Sequence, residues 1–178
     1  SYEFDTTEAV EIEANFKKKD FSPLVVEDVW LVPFYTGLLD VGSTDVNGNI
    51  NFNITPGNYT LIGISRNEFY QIEEPDLSLN SNKSIDTSTM PTGELSINVD
   101  EATGFDSNYF IAWGPYCGWS MTIWISNSVK LVMSEDTYSS DTRHYMYLQD
   151  TSTWGFLFYL TDEELNIENN HSYSVDVS

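Results

Sequence analysis

"TDVNGNINFNITPGNYTLIGIS", residues 44–65, sets two alternating runs on either side of a Pro-Gly pair, and the rest of the chain is read from it. Ile50, Phe52 and Ile54 alternate with Asn49, Asn51 and Asn53, the period of two that makes one face of a strand apolar and leaves the other wet. Past "TPGN", Tyr59, Leu61 and Gly63 alternate with Thr60, Ile62 and Ile64. Pro56 followed by Gly57 suits a type II turn, so the stretch predicts a hairpin. Asp45 and Gly48 shape the turn before it, where an aspartate side chain bonds its own backbone two residues on. Asp45, Asn47 and Asn49 also alternate like calcium ligands. Such a loop needs Gly at its sixth position and Glu at its twelfth, where Ile50 and Pro56 stand, so the Asx-type turn is the better reading.

The same period runs outward from this stretch. In "EAVEIEANF", residues 8–16, Val10, Ile12, Ala14 and Phe16 alternate with Glu11, Glu13 and Asn15. "VVEDVWLVPFY", residues 25–35, is β-branched and aromatic, and Pro33 implies an edge position or the end of a strand, because proline cannot donate to a ladder. Residues 71–92 are rich in Ser, Thr, Asn, Asp and Pro, with "DLSL" a weak strand, and predict a loop or linker. Beyond them "GELSINVD", "YFIAWGPYCGWSMTIWIS", "VKLVMS", "RHYMYLQD", "TWGFLFYL" and "HSYSVDV" read as short strands. "TDEELNIENN" is expected to hold a turn of helix capped by Thr161. Many short strands without crossover helices predict an all-β fold of antiparallel β-sandwich architecture. The expectation is two small Ig-like or transthyretin-like sandwiches in tandem: residues 1–75, a linker over 76–92, and an aromatic-rich sandwich over 93–178.

"VWLVPFYTGLLDVGSTDVNGNINFNITPGNYTLIGIS" resembles the carboxypeptidase regulatory-like, or transthyretin-like, domain. The resemblance rests on Thr44, Asp45, Gly48, Ile50, Phe52, Pro56, Gly57, Tyr59 and Leu61, in that order and spacing. It covers roughly the first 75 residues; "FSPLVVEDVWL" is an approximate stand-in for the family's opening strand. It implies a seven-stranded sandwich that serves as a non-catalytic accessory module on exported or surface-anchored proteins.

Charge narrows the partners. The chain has 178 residues, 28 acidic side chains against 7 basic ones, and a formal net charge of −21. Residues 1–90 carry 5 basic and 15 acidic side chains, residues 91–178 carry 2 and 13, so both halves repel phosphate backbones and anionic headgroups. Nucleic acid and direct membrane insertion are excluded as partner classes, and no run of about 18 apolar residues could span a bilayer as a helix. An extracellular protein or glycan, or another copy of the chain, is the expected partner. Cys117 is the single cysteine, so no intrachain disulfide forms and no thiolate zinc site exists. The opening "SYEFDTTEAVEIEANF" has no basic n-region or apolar h-region, as expected of an exported product after signal removal.

Catalytic signatures are missing from the sequence. It offers two histidines, His144 and His171, and no G-x-S-x-G elbow. Cys117 in "GPYCGWS" reads as a structural thiol. The expectation is a protein that is not an enzyme and needs no cofactor, with calcium held between loops by Asp100, Glu101 and Asp106 as the exception to test. Aromatic residues concentrate in the second half. Trp113 and Tyr116 lie in or beside a Gly-Pro loop and Trp124 on the polar side of its strand, so these three are the candidates for binding carbohydrate or protein by ring stacking. In "WGFLFYL" both faces are apolar, as for a strand covered on both sides or one that meets a ligand. Asn53, Asn58, Asn82 and Asn170 match N-x-[ST] and are candidate glycosylation positions. Three functions follow: a surface binding or adhesion module, a carbohydrate-binding module, or a self-assembling filament or layer subunit whose segment 8–16 adds to the edge of a neighbour's sheet.

Overall fold

The computed structural model describes residues 8–33, 37–99, 108–113, 120–125, 128–138, 145–150, 156–159 and 165–177. The fold is all-β and of the β-sandwich class. The chain divides into two compact units, Ser1–Gly63 with Glu73–Thr89, and Ile64–Ile72 with Met90–Ser178.

The first unit contains β1 (Val10–Asn15), β2 (Asp28–Pro33), β3 (Leu39–Gly42), β4 (Asn49–Ile54) and β7 (Lys83–Asp86). It also takes the greater parts of β5 (Gly57–Ser65) and β6 (Tyr70–Leu79). A three-stranded sheet has the order β4-β1-β7, and a second ladder in this unit runs β6-β5-β2-β3. Val10, Ile12 and Ala14 of β1 are buried on one face, opposite Ile54, Phe52 and Ile50 of β4, while Glu11 and Glu13 remain exposed. Phe16, just past β1, is fully buried, and its ring lies where a Cβ on Gly63 of β5 would sit. That close approach brings the two ladders face to face, which explains why the apolar row Tyr59, Leu61, Gly63 is interrupted by a residue without a side chain.

Four expectations are corrected here. The 44–65 stretch is not a hairpin: β4 pairs with β1, whereas β5 stands beside β2 and β6 in the other ladder. The Pro56-Gly57 corner is therefore a crossing between layers. Gly57 is not among the glycines with positive φ, so no type II turn forms, and the Tyr59 hydroxyl donates to the Thr55 carbonyl at 2.7 Å to fasten the corner. β5 is buried on both faces from Tyr59 to Ser65, because it is an interior strand. The predicted linker over 76–92 instead contributes the end of β6, the strand β7 and a 3-10 turn over Thr87–Thr89. Leu77, Leu79, Ile85 and Met90 are buried in it, too thinly scattered among polar residues to show a period in the sequence. Segment 8–16 is not a spare strand for a neighbour, because β1 is hydrogen-bonded on both edges.

The expected turn at Asp45 is present. Its Oδ1 accepts from the backbone N–H groups of Asn47 and Asn49, both at 2.8 Å, and Gly48 has φ +78. A side chain on Gly48 would collide with the Phe16 carbonyl oxygen and reach 3.0 Å from that of Leu24. Pro33 ends β2, as its missing donor requires.

The second unit adds β8 (Thr92–Val99), β9 (Asn108–Trp113), β10 (Ser120–Ile125), β11 (Val129–Ser134) and β12 (Asp136–Tyr138). It ends with β13 (Tyr145–Asp150), β14 (Phe156–Tyr159), β15 (Leu165–Ile167) and β16 (Ser172–Val177). One ladder has the order β16-β8-β11-β6, another β10-β9-β13-β14, and β12 pairs with β15. Leu95, Ile97, Val129, Leu131, Met133 and Ile167 are buried in this unit. The helical turn expected in 161–170 is corrected to strand over Leu165–Ile167, since Ile167 is buried and packs where Gly93 leaves room; Thr161 lies outside the described residues. The sheets are also not purely antiparallel. β7 runs parallel to β1, β16 parallel to β8, and β11 meets β6 in a parallel bridge at Val132 and Tyr70. Parallel partners need long connections, so they lie far apart in sequence and leave no local signature.

Candidate functional site

Three surfaces offer chemistry. The first is the end of the three-stranded sheet where Asn15, Asn49 and Asp86 stand side by side. Three tight turns gather there, and each spends an aspartate on its own backbone. Asp20 accepts from Ser22 Oγ at 2.6 Å and Ser22 N at 3.0 Å. Asp86 accepts from Ser88 Oγ at 2.7 Å, Ser88 N at 3.0 Å and Lys17 Nζ at 2.9 Å. The Ser88 hydroxyl, followed by Lys17, pulls the Asp86 carboxyl down to about 2. The backbone N–H of Asn49 lowers Asp45 in the same way, and the Ser22 hydroxyl lowers Asp20. These carboxylates hold loops in shape through bonds to their own turns. What the loops present is apolar: Phe21 is 68% exposed and Val46 81%.

The second surface is the wet face of the same sheet. Its register sets Glu11 beside Asn53, Glu13 between Asn51 and Ser84, and Asn15 between Asn49 and Asp86. The Asn15 amide donates to Asn49 Oδ1, and the Glu11 backbone N–H donates to Asn82 Oδ1 at 3.0 Å, so Asn82 extends the β1–β7 ladder by one side-chain bond. An open groove of about 310 Å³ lies there, lined by Glu11, Glu13, Asn82, Lys83 and Ser84. It offers both donors and acceptors, and suits a hydrated polar ligand rather than an apolar one.

The third surface is set by the register of β10-β9-β13-β14. Trp124 is opposite Tyr109, which is opposite Gln149, which is opposite Phe156. Two residues along β10, β9 and β13, Thr122, Ile111 and Tyr147 form the next row, which Tyr159 joins three residues along β14 because the β13–β14 register shifts between Leu148 and Gln149, and Ser120, Trp113 and Tyr145 form the one after. The alternate rows, on the other face, join Ile123, Phe110, Leu148 and Phe158, then Met121, Ala112 and Met146. Only the end row of that second face, Ile125, Asn108 and Asp150, contains polar groups. By register, one face of this sheet holds mainly Phe, Ile, Leu and Met positions and the other mainly Tyr, Trp, Ser, Thr and Gln positions.

The sequence-predicted residues distribute as follows. Trp113 and Trp124 occupy the same face of this sheet, whereas Tyr116 lies outside the described residues. Asp100, Glu101 and Asp106, the proposed calcium ligands, also lie outside them, as do Cys117 and His144. Among the described residues, no group of three His, Cys, Asp or Glu side chains is placed to hold a metal ion. His171 is exposed, its Nδ1 3.4 Å from Glu168 Oε2. Asn53, Asn58, Asn82 and Asn170 are all exposed, although the Thr60 that completes the second sequon is buried. Sequence reasoning singled out Trp113 and Trp124 but could not set Tyr109, Tyr145, Tyr147 and Tyr159 in register with them. Each strand shows its own alternation, and only the pairing says which faces coincide.

No family model and no curated relative matches the chain. Among solved structures it is similar to the Bacillus anthracis TIE protein, at 15% identity and a TM-score of 0.35, over 96% of this chain and 34% of that one. It is also similar to a streptococcal ancillary pilin, at 12% identity and a TM-score of 0.32, over 99% of this chain and 64% of that one. A third similarity is to the shaft pilin SpaA of Lactobacillus rhamnosus GG, at 8% identity and a TM-score of 0.31, over 96% and 98% of the two chains. This chain thus spans about a third of the first of these proteins and under two thirds of the second. Likeness at this level carries no weight for ligand or mechanism.

Proposed function

We propose that this chain is a non-catalytic, exported β-sandwich module that works at the cell surface or outside the cell as a binding or adhesion element. The observation that carries the reading is the division of the four-stranded sheet into a Phe, Met and Leu face and a Tyr and Trp face. Burial alone would favour apolar residues on both sides, while amphipathic rings are the side chains enriched where a surface meets a partner. A net charge of −21 supports a soluble, repulsive exterior that does not stick to nucleic acid or anionic lipid. For the first unit we also propose the transthyretin-like architecture, supported by seven strands split three and four between two ladders.

Location is the direct test. Protease treatment of intact producing cells should degrade the chain while a cytoplasmic marker survives; complete protection until lysis would defeat the proposal. Self-assembly is a second reading, favoured by β3, which ends its ladder with Leu39 40% exposed. Size-exclusion chromatography and electron microscopy of the purified chain distinguish the two: polymers support assembly, a monodisperse monomer supports the binding module.

A further inference from the structure

We infer that β4 is a self-association edge: two copies of this chain pair along it, antiparallel about a two-fold axis at Phe52, and join their three-stranded sheets into one of six strands. This goes beyond the surface-module reading. A strand at the margin of a sheet offers a row of N–H and C=O groups, which proteins ordinarily blunt with charge, proline, shortness or a bulge. Three other margins in the first unit are blunted. β7 has four residues and carries exposed Lys83 and Asp86. β3 shows Leu39 but has only four residues, with exposed Asp40 and a register shift against β2 between Val29 and Trp30. Residues 73–79 of β6, past its single bridge to β11, include Glu73, Glu74, Pro75 and Asp76, the last with φ +54. β4 differs. Its "NINFNI" has six residues in unbroken register with β1 and contains no charge, proline or glycine. Among the described residues no strand pairs along its outer side.

The hydrogen bonds set the register. Phe16 N–H donates to the Gly48 carbonyl at 2.7 Å, so Gly48 faces β1, and alternation turns the N–H and C=O of Asn49, Asn51 and Asn53 away from it. Asn49 spends its pair on the Asp45 turn, donating to Asp45 Oδ1 and accepting from the Asp45 N–H, both at 2.8 Å. Asn51 and Asn53 remain. A two-fold axis at Phe52 sets Asn51 of one copy opposite Asn53 of the other and closes four backbone hydrogen bonds. The core row points to the same neighbour. Phe52 and Ile54 are only half-buried, whereas their partners Ile12 and Val10 on β1 are buried. This register places the two Phe52 residues in a non-hydrogen-bonded pair, about 4.5 Å apart at Cα, where each ring covers the other. Charge permits a second copy here in spite of the net −21. On the wet face Glu11 and Glu13 lie one strand back on β1. Those of the two copies therefore stand three strand spacings apart, about 14 Å, beyond the screening length of about 8 Å in physiological salt. Because both copies use the same edge, association closes at two.

The test is sedimentation velocity of the purified full chain from about 1 to 500 µM, a range suited to the weak association that a seam of one strand gives. Monomer should give way to dimer, with nothing larger. Asn51→Pro removes one outward N–H from each copy at a position where the ladder to β1 loses none, and should weaken the dimer at least about tenfold. Asn51→Asp combined with Asn53→Asp sets carboxylates opposite one another and should do the same. Asn51→Lys combined with Asn53→Asp sets opposite charges face to face and should hold the dimer at least as tightly as the parent. Both charge combinations should melt, at about 1 µM, within about 3 °C of the parent, as exposed substitutions do, so that loss of fold is not mistaken for loss of pairing. Leu39→Lys, at the β3 edge, should leave the dimer intact. A monomer throughout the range, polymers in place of a dimer, or a dimer that survives both Asn51→Pro and the paired aspartates would overturn the inference. So would equal dissociation by the two charge combinations, or a dimer lost with Leu39→Lys. Protease accessibility on intact cells is read independently, so the surface-module proposal and this one fail separately.

Discussion

The three-stranded sheet β4-β1-β7 and the four-stranded sheet β10-β9-β13-β14 are each dry on one side by pattern, and they differ on the other. The first shows asparagines and glutamates opposite its apolar row, so its second face is written for water and short polar contacts. The second shows tyrosines and tryptophans, which hold apolar area and a polar atom together. Hydrophobic alternation therefore does not by itself tell the two sheets apart. The residue type on the second face does, since solvent is satisfied by Asn and Glu and has no use for rings.

The largest effect available is in the first unit. Phe16→Ala removes a fully buried ring seated against Gly63 and should cost about 3–5 kcal/mol in urea unfolding. A loss below about 1 kcal/mol would mean that the two ladders are not wedged together by this side chain. The comparison can then be broken directly in the second sheet, where Phe110 and Tyr109 are neighbours on opposite faces. Phe110→Ala is expected to destabilise by about 3 kcal/mol and Tyr109→Ala by under about 1 kcal/mol; equal losses would erase the distinction between the faces. In the second unit both amide atoms of the fully buried Gln71 lack a hydrogen-bond partner, as does the hydroxyl of Ser65. Gln71→Leu should raise stability by about 1–2 kcal/mol, because an unpaired buried amide keeps its full desolvation cost. A decrease would reveal a partner for that amide.

The smallest effect is electrostatic and belongs to the polar sheet. Asp86 has a folded pKa of about 2, below its ordinary 3.8, so it favours the folded state above pH 4 and loses that contribution as pH falls from about 4 towards 2. Its pair with Lys17 is partly exposed, at 30% and 46% for the two side chains, which limits the contribution to under about 1 kcal/mol. Asp86→Asn should flatten the acid limb of the stability curve over that range and change little at pH 7 beyond this amount. An unchanged acid limb would remove Asp86 from the account.

Much of the fold was legible in single strands. Val10, Ile12, Ala14 and Phe16 are buried as their spacing implied, "VKLVMS" is β11 to the residue, and Asp45 makes its expected turn. Residues 76–92 were misread because their buried Leu77, Leu79 and Ile85 are thinly scattered among Ser, Asn and Asp, so composition outweighed period. In the second sheet, the place of Trp124 on the polar side of its strand could be read from seven residues, and the register that sets it in a row with Tyr109 and Gln149 could not.

What the sequence by itself determined is local: the covalent pleat sends successive side chains to opposite sides, so a period of two is visible wherever a strand is half buried. Which strand lies beside which was left to the tertiary structure. β4 leaves β5 for β1, β7 joins β1 and β16 joins β8 in parallel, because burying Phe16 and Leu61 in one unit, and Leu95 and Ile167 in the other, outweighs the modest entropy of closing long loops. No window of neighbouring residues contains that sum, and the Tyr and Trp face exists only as its result.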